Sequence, residues 1–164
     1  MTKMTRMFNQ KVAQPTSQRG VAAVELAFIL PILLIMLSGI VEYGRALWYY
    51  DALAKGARDA ARYLSTRQIG DLSAETSATS TTRAIVADTA SQAGVTGFNR
   101  FTHLTVSCAP TSCDSAASVT TVTVAVSYPF EIGGWIPLFR PGSSDAPSTF
   151  TATLVPHVTM RYMQ

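Results

Sequence analysis

Glu25 is an acidic residue inside an otherwise apolar stretch, and it follows Gly20 by five residues. A carboxylate at the centre of a bilayer costs about 2.5–3.5 kcal/mol, so such a residue is retained where it has a partner. A positively charged amine is a suitable partner, because a charge in apolar surroundings is tolerated when it is paired. The alternative is that Glu25 lies at the interface and reaches the cytoplasmic headgroups.

The pair Arg19-Gly20 stands directly before the apolar stretch. A glycine lets a protease approach the backbone closely, since no side chain intervenes. Cleavage after Gly20 would create a new amine on Val21, about one helical turn before Glu25. We therefore predict a processing site at Arg19, Gly20 and Val21, with Glu25 pairing with the amine of a neighbouring subunit and setting the register between two helices.

The two cysteines, Cys108 and Cys113, enclose the short sequence Ala-Pro-Thr-Ser. In an oxidising compartment this spacing indicates a disulfide that closes a short loop. Two free thiols are the alternative. A zinc site is the weaker interpretation, because one C-x4-C pair has no second ligand pair and neither His103 nor His157 has a matching spacing. We expect no metal and no cofactor.

The charge of the chain is uneven. Of the 13 Lys and Arg residues, four lie in residues 1–20, which contain no acid. The remaining nine stand against ten acids, a net charge of −1. The basic character therefore belongs to the first 20 residues, which we interpret as a basic leader peptide. It is poor evidence for nucleic-acid binding, and none is expected.

A membrane span is indicated over residues 21–41, where Glu25 is the only charged residue. As a helix this segment would be about 30 Å long, the thickness of the bilayer hydrocarbon core. The basic flank favours a cytoplasmic N-terminus and an exported C-terminal part. An ordinary signal peptide fits less well, because its apolar region is shorter and ends at a small-x-small site.

One long helix is predicted over residues 21–65, and its part beyond the membrane is amphipathic. Apolar residues recur there at spacings of three and four, which predicts a stripe facing the core: Ile40, Tyr43, Leu47, Tyr50, Ala54, Ala57, Ala61 and Leu64. Pro31 lies within the helix and predicts a kink, since proline removes a hydrogen bond and clashes with the preceding turn. Alternatively, Pro31 is simply tolerated, as prolines are in membrane helices.

Residues 66–164 are expected to form an exported α+β domain. Residues 66–82 are predicted to be a loop and 82–93 a short helix that Gly94 ends. Alternating patterns predict strands over 101–107, 119–128 and 148–155, with 157–162 as a possible extension. The first two strands would form a hairpin around the cystine turn. The expected fold class is thus α+β, with a long transmembrane helix that continues into an amphipathic helix packed on a small antiparallel sheet of three or four strands.

No catalytic motif is present in the sequence: it contains no G-x-S-x-G, no phosphate-binding loop and no H-E-x-x-H. We expect a protein that is not an enzyme.

At residues 19–65 the chain resembles a type IV prepilin, and specifically the TadE-like family of pseudopilins, minor components of the tight-adherence (Flp) pilus system of bacteria. The matching segments are Arg19-Gly20, Ala22–Glu25, Leu30-Pro31, Gly39–Arg45 and Ala57–Tyr63. Major Flp pilins resemble G-x4-E-Y and end soon after the apolar helix. Here Leu26 replaces the tyrosine and a large domain follows, which favours a minor subunit with a pilin-like fold.

The resemblance implies a prepilin-peptidase substrate that takes part in assembly or initiation of an adhesive pilus. The implied partners are the prepilin peptidase, the major and other minor pilins, and the inner-membrane assembly platform. The implied location is the bacterial inner membrane, single pass, with a periplasmic C-terminal domain that is possibly extracellular in the assembled pilus. The alternatives are an uncleaved single-pass membrane protein with a periplasmic ligand- or partner-binding domain, a type II secretion pseudopilin and, more weakly, an exported enzyme.

Overall fold

The computed structural model describes residues 18–72, 76–113, 119–132 and 150–163. Contacts divide the chain into two compact units, Met1–Gly39 and Ile40–Gln164, and each is described by itself. Most of the predicted leader lies outside the described residues. The long helix, α1, runs from Gln18 to Ser65, so it ends where predicted and begins three residues earlier.

The described part of the first unit is helix alone. Its bulky apolar side chains are exposed all around, from Val21 through Ile29 to Leu37. A helix that is apolar on every side needs lipid or protein around it. The segment Gly20–Ser65 is long and apolar enough to cross a membrane, with a mean hydropathy of 2.5 in its most apolar window. These features suggest a membrane-anchored protein.

The second unit combines the C-terminal half of α1 with a second helix and short strands. The order is a 3-10 turn at Ile69–Asp71, α2 at Ser77–Gln92, β1 at Leu104–Ala109, β2 at Thr121–Val126, β3 at Tyr128–Ile132, β4 at Phe150–Leu154 and β5 at His157–Arg161. The predicted α+β class with a long apolar helix is confirmed.

The second helix begins five residues before its predicted start, so the prediction of a loop reaching residue 82 is wrong. Serine and threonine are poor helix formers in isolation, but here their hydroxyls donate to carbonyls of the preceding turn. Ser80 Oγ bonds the Ser77 oxygen at 2.8 Å and Thr82 Oγ1 bonds the Ala78 oxygen at 2.8 Å. Ala78 and Thr82 are also buried, so tertiary packing overrides the weak local propensity. The helix ends before Gly94, as predicted, and Gly94 has a φ of 73°.

The strands form two antiparallel sheets, β1-β2-β5 and β3-β4, where one sheet was expected. The register continues between them: Ala125 pairs with His157 and, three residues along each strand, Tyr128 pairs with Leu154. Pro156 lies at the interruption and has no N–H to donate, which breaks the ladder. The predicted hairpin of β1 and β2 is confirmed.

The core lies between α1, α2 and the inner face of β2. Three valines alternate inward along β2 and are fully buried: Val122, Val124 and Val126. From α1 come Leu53 and Leu64, together with small residues that allow close approach. A methyl group added at Gly56 would lie 3.3 Å from the Val86 Cα and 3.2 Å from the Thr89 Cβ, so glycine is the residue that lets α2 cross α1 there.

Candidate functional site

Gly20 lies within α1, and a side chain added to it would meet nothing within 4 Å. Glycine in a helix interior is less stable than alanine by about 1 kcal/mol. Among the described residues, no neighbour requires glycine at this position. The processing site at Arg19, Gly20 and Val21 stays a prediction.

Glu25 is exposed on α1 and forms no salt bridge within the described residues. In a bilayer this carboxylate would need a partner from another molecule or from the headgroups. Amine pairing at Glu25 stays a prediction. The helix continues through Pro31 without interruption, and a bend there also stays a prediction.

The apolar stripe predicted to face the core is only half buried by the second unit. Its last members, Ala57, Ala61 and Leu64, are fully buried. The prediction is wrong for its first four members, which are 45–68% exposed: Ile40, Tyr43, Leu47 and Tyr50. We call these four residues the exposed stripe.

A neighbouring face of the helix is buried instead. Glu42 and Leu53 are buried, and Tyr49 is half-buried between them. The Tyr49 ring packs edge-to-face on Tyr128 at 6.3 Å and on Phe130 at 5.7 Å between centroids. Aromatic packing and burial decide which face of α1 points towards the core. The sequence periodicity had instead predicted that the most apolar stripe would be buried.

Glu42 is buried because Arg45, one turn later, offsets its charge. Arg45 Nη2 lies 3.2 Å from Glu42 Oε2. Neither carboxylate oxygen accepts a hydrogen bond of good geometry in the described part of the chain, so the contact is an ion pair with poor hydrogen-bond alignment. Arg45 Nη2 also donates to the backbone oxygen of Glu131 at 3.3 Å, and its guanidinium lies 5.0 Å from the Phe130 ring centroid. Arg45 thus links α1 to β3.

A cavity of about 430 Å³ opens beside Arg45. Tyr49 and Tyr128 are among the residues that line it. The Tyr49 hydroxyl donates to the backbone oxygen of Gly94 at 2.9 Å, and the Tyr128 hydroxyl donates to that of Thr96 at 2.6 Å. Burial raises the pKa of Tyr128, and the Thr96 side chain opposes part of that rise. The two hydrogen bonds hold both phenol side chains in place beside the cavity. No pattern in the sequence predicted this cavity. The one local signal was the spacing of Glu42 and Arg45.

The disulfide prediction is confirmed, since Cys108 of β1 is bonded to Cys113. The bridge closes the turn that follows β1. Within the described ranges, no group of three or more His, Cys, Asp or Glu side chains could hold a metal ion.

The part of the chain that is similar to a known protein family lies within α1. Residues 20–62 match the family model described as TadE-like protein. No curated protein and no solved structure matches the chain. The match begins at Gly20 and ends within α1, so it includes the apolar segment, the exposed stripe and the Glu42–Arg45 pair. It covers 43 of the 164 residues and confirms, for this segment, the TadE-like resemblance found in the sequence.

Proposed function

We propose, from the premise that residues 20–62 are TadE-like, that this protein is a minor pilin or pseudopilin of a tight-adherence (Flp) type IV pilus. In this role it is a structural component that takes part in pilus assembly or initiation, and it carries out no catalysis. The observation that carries the proposal is that α1, the segment matching the family, leaves its apolar surface uncovered both before and after residue 40.

The exposed stripe supplies a contact surface beyond the membrane. Leu47 is 51% exposed and Tyr43 is 68% exposed, although both belong to a unit with its own core. Full burial of such a side chain contributes about 1.5–3 kcal/mol. A helix of a neighbouring pilin that covered this face would therefore gain several kcal/mol from the stripe.

The proposed assembly also includes cleavage after Gly20 and pairing of Glu25 with a neighbouring subunit. A prepilin peptidase removes residues 1–20, and the amine of Val21 then pairs with Glu25 of an adjacent subunit. The pairing offsets the cost of a carboxylate in lipid and aligns the two helices axially.

The proposed topology has the basic leader in the cytoplasm, residues 21–41 in the inner membrane and residues 66–164 as an exported domain in the periplasm, extracellular after assembly. The four cations of residues 1–20 support this orientation. The Cys108–Cys113 bridge supports an oxidising location for the domain. The partners are the peptidase, the major and other minor pilins, and the assembly platform.

An uncleaved single-pass membrane protein with a ligand-binding periplasmic domain is the second candidate. The cavity beside Arg45 is the observation in its favour. The two functions differ at the N-terminus, because only the first requires cleavage after Gly20.

The test compares Gly20→Leu with Gly39→Leu in the native host. Both glycines lie in α1, and neither has a neighbour within 4 Å of an added side chain, so the isolated chain should tolerate both changes equally. The N-terminus of the membrane-extracted protein is then determined by intact mass and terminal peptide sequencing. We expect wild type and Gly39→Leu to begin at Val21 and Gly20→Leu to retain the leader. A wild-type chain that begins at Met1 or Thr2 would refute the pilin role.

The exposed stripe is tested separately by Leu47→Arg, with Asp59→Arg as the control on an exposed polar position of the same helix. We expect Leu47→Arg to be processed and folded but to reduce the number of pili, while Asp59→Arg leaves it near the wild-type number. Equal pilus numbers in the two variants would show that the stripe makes no assembly contact.

A further inference from the structure

The strand β1 lies at one edge of the three-stranded sheet, with β2 as its neighbour. The oxygens of His103 and Ala109 accept backbone hydrogen bonds from the residues that flank β2, at 2.7 and 2.9 Å. Because backbone groups alternate along an antiparallel strand, Leu104, Val106 and Cys108 direct their N–H and C=O groups away from β2. Within the described ranges, no other segment bonds to these outward groups. The outer edge of β1 is therefore an open template for a further strand.

A cavity of about 380 Å³ runs along this edge. It is bordered by five consecutive residues of β1, 104–108, whose side chains point alternately to the two faces of the sheet. A cavity that borders side chains of both faces lies at the edge of the strand, and β2 occupies the opposite edge. Leu72, Thr79 and Arg83 also line it. The cavity leaves room beside β1, where an added strand would lie about 4.8 Å away.

The sequence of β1 lacks the features by which proteins protect a sheet edge, which are charged side chains, proline and bulges. It reads Leu-Thr-Val-Ser-Cys-Ala, without a charge, a proline or a glycine. The opposite edge of the same sheet is β5, which follows Pro156 and carries Arg161. Of the two edges, β1 is thus the one suited to pairing with another strand.

The sequence of β1 is also complementary to itself. When two copies pair antiparallel with Val106 opposite Val106, Leu104 lies opposite Cys108 and Thr105 lies opposite Ser107. Apolar side chains then meet on the core side, where Leu104 is buried and Val106 and Cys108 are half-buried. Hydroxyls meet on the exposed face, and cross-strand pairs of both kinds are favourable. Three opposite pairs would each exchange two backbone bonds, about six in all.

We propose that β1 is a homodimerisation edge. It pairs antiparallel with β1 of a second copy around Val106, and the two three-stranded sheets become one sheet of six strands. A two-fold axis at Val106 relates the copies, as in most homodimers. This inference goes beyond the proposed function, because it needs neither cleavage at Gly20 nor contact through the exposed stripe.

The first experiment measures dimerisation of the full chain in detergent micelles by sedimentation velocity over a range of protein concentrations. Val106→Pro removes an outward N–H and leaves the bonds between β1 and β2 in place. Val106→Ala, the matched control, shortens the same side chain and keeps the N–H. We expect a dimer for the wild type. The dissociation constant should rise at least about fivefold for Val106→Pro, which loses two hydrogen bonds at the axis, and less for Val106→Ala.

A monomeric wild type, or an equal rise for the two Val106 variants, would overturn the inference. A dimer that Leu47→Arg abolishes and Val106→Pro leaves intact would also overturn it, because the exposed stripe would then be the interface. The N-terminal mass is determined separately on protein from the native host. A Val21 terminus there, together with a monomer in micelles, removes this inference and leaves the pilin role standing.

The second experiment tests the register and does not require the proline variant to fold. Chains carrying Thr105→Cys and chains carrying Ser107→Cys are mixed under a mild oxidant. Both positions are exposed, and in this register their Cα atoms lie about 4.5 Å apart across the dimer, within the range of a disulfide. We expect the mixture to crosslink faster than either variant alone, because identical residues are offset by two positions.

The control mixture replaces Thr105→Cys by Thr159→Cys, an exposed position on β5, and should not crosslink with Ser107→Cys. Crosslinking of the Thr105→Cys and Ser107→Cys mixture no faster than this control would overturn the inference. Faster reaction of either variant with itself would overturn the register around Val106, and the proposed dimer with it.

Discussion

At Gly56, α2 packs closely against α1, and Gly56→Ala tests that packing. The added methyl would lie 3.2 Å from the Thr89 Cβ and 3.3 Å from the Val86 Cα. The second neighbour is backbone and cannot rotate away. Gly44, on the same helix, is exposed and has nothing within 4 Å of an added methyl, so Gly44→Ala is the matched control.

Both substitutions replace a helical glycine by alanine, but only Gly56→Ala also crowds a neighbouring helix. Alanine in place of a helical glycine stabilises by about 1 kcal/mol. At Gly56 this gain is opposed by the cost of overpacking, about 1–3 kcal/mol. We therefore expect Gly44→Ala to stabilise the second unit by about 0.5–1 kcal/mol and Gly56→Ala to destabilise it by about 1 kcal/mol. The difference between the two variants isolates the crowding between the helices.

The free energy of unfolding can be measured on the chain in detergent micelles by urea titration, followed by near-ultraviolet circular dichroism. A shift of the midpoint at constant slope reports stability alone. Equal stabilisation by both substitutions would refute the close approach of α2 to Gly56, and with it the reason given for a glycine at this position.

Three further predictions use other parts of the chain. Arg45→Met should lower the free energy of unfolding by about 3 kcal/mol in the same titration, because it leaves Glu42 buried without its counter-charge. Adding Glu42→Gln should restore most of the loss, and a double variant without recovery would contradict the ion-pair argument. Cys108→Ser should lower the stability by about 2 kcal/mol, the loop-entropy estimate for a short bridge; an unchanged melting temperature would exclude a stabilising role. Glu25→Ala should leave membrane insertion intact, measured by carbonate extraction, but reduce pilus number, and an unaffected pilus would count against amine pairing.

Most elements of the fold were predictable from local patterns. The end of α1 at Ser65, the stop at Gly94 and the hairpin of β1 and β2 each follow from a pattern within one continuous stretch of sequence. The start of α2 was not predictable in this way. Its first turn consists of Ser, Thr and Ala, and only burial against the rest of the unit makes that turn helical.

Of the candidate site, the sequence predicted the apolar stripe of α1 but not the cavity beside Arg45. The spacing of Ile40 and Leu47 correctly indicated a helical apolar stripe, but the prediction that the chain's own core covers it was wrong for its first four members. The cavity beside Arg45 depends on Glu131, which is 86 residues away in the sequence. No local pattern connects two such residues.

The sequence by itself determined the long apolar helix, the TadE-like character of residues 20–62 and the cystine turn, because composition and short spacings carry these features. The tertiary structure decided which face of α1 is buried, where the β-ladder is interrupted and how Arg45 meets β3. These outcomes depend on contacts between distant segments, and a helix with more than one apolar face buries the face whose packing and charge pairing give the lowest free energy.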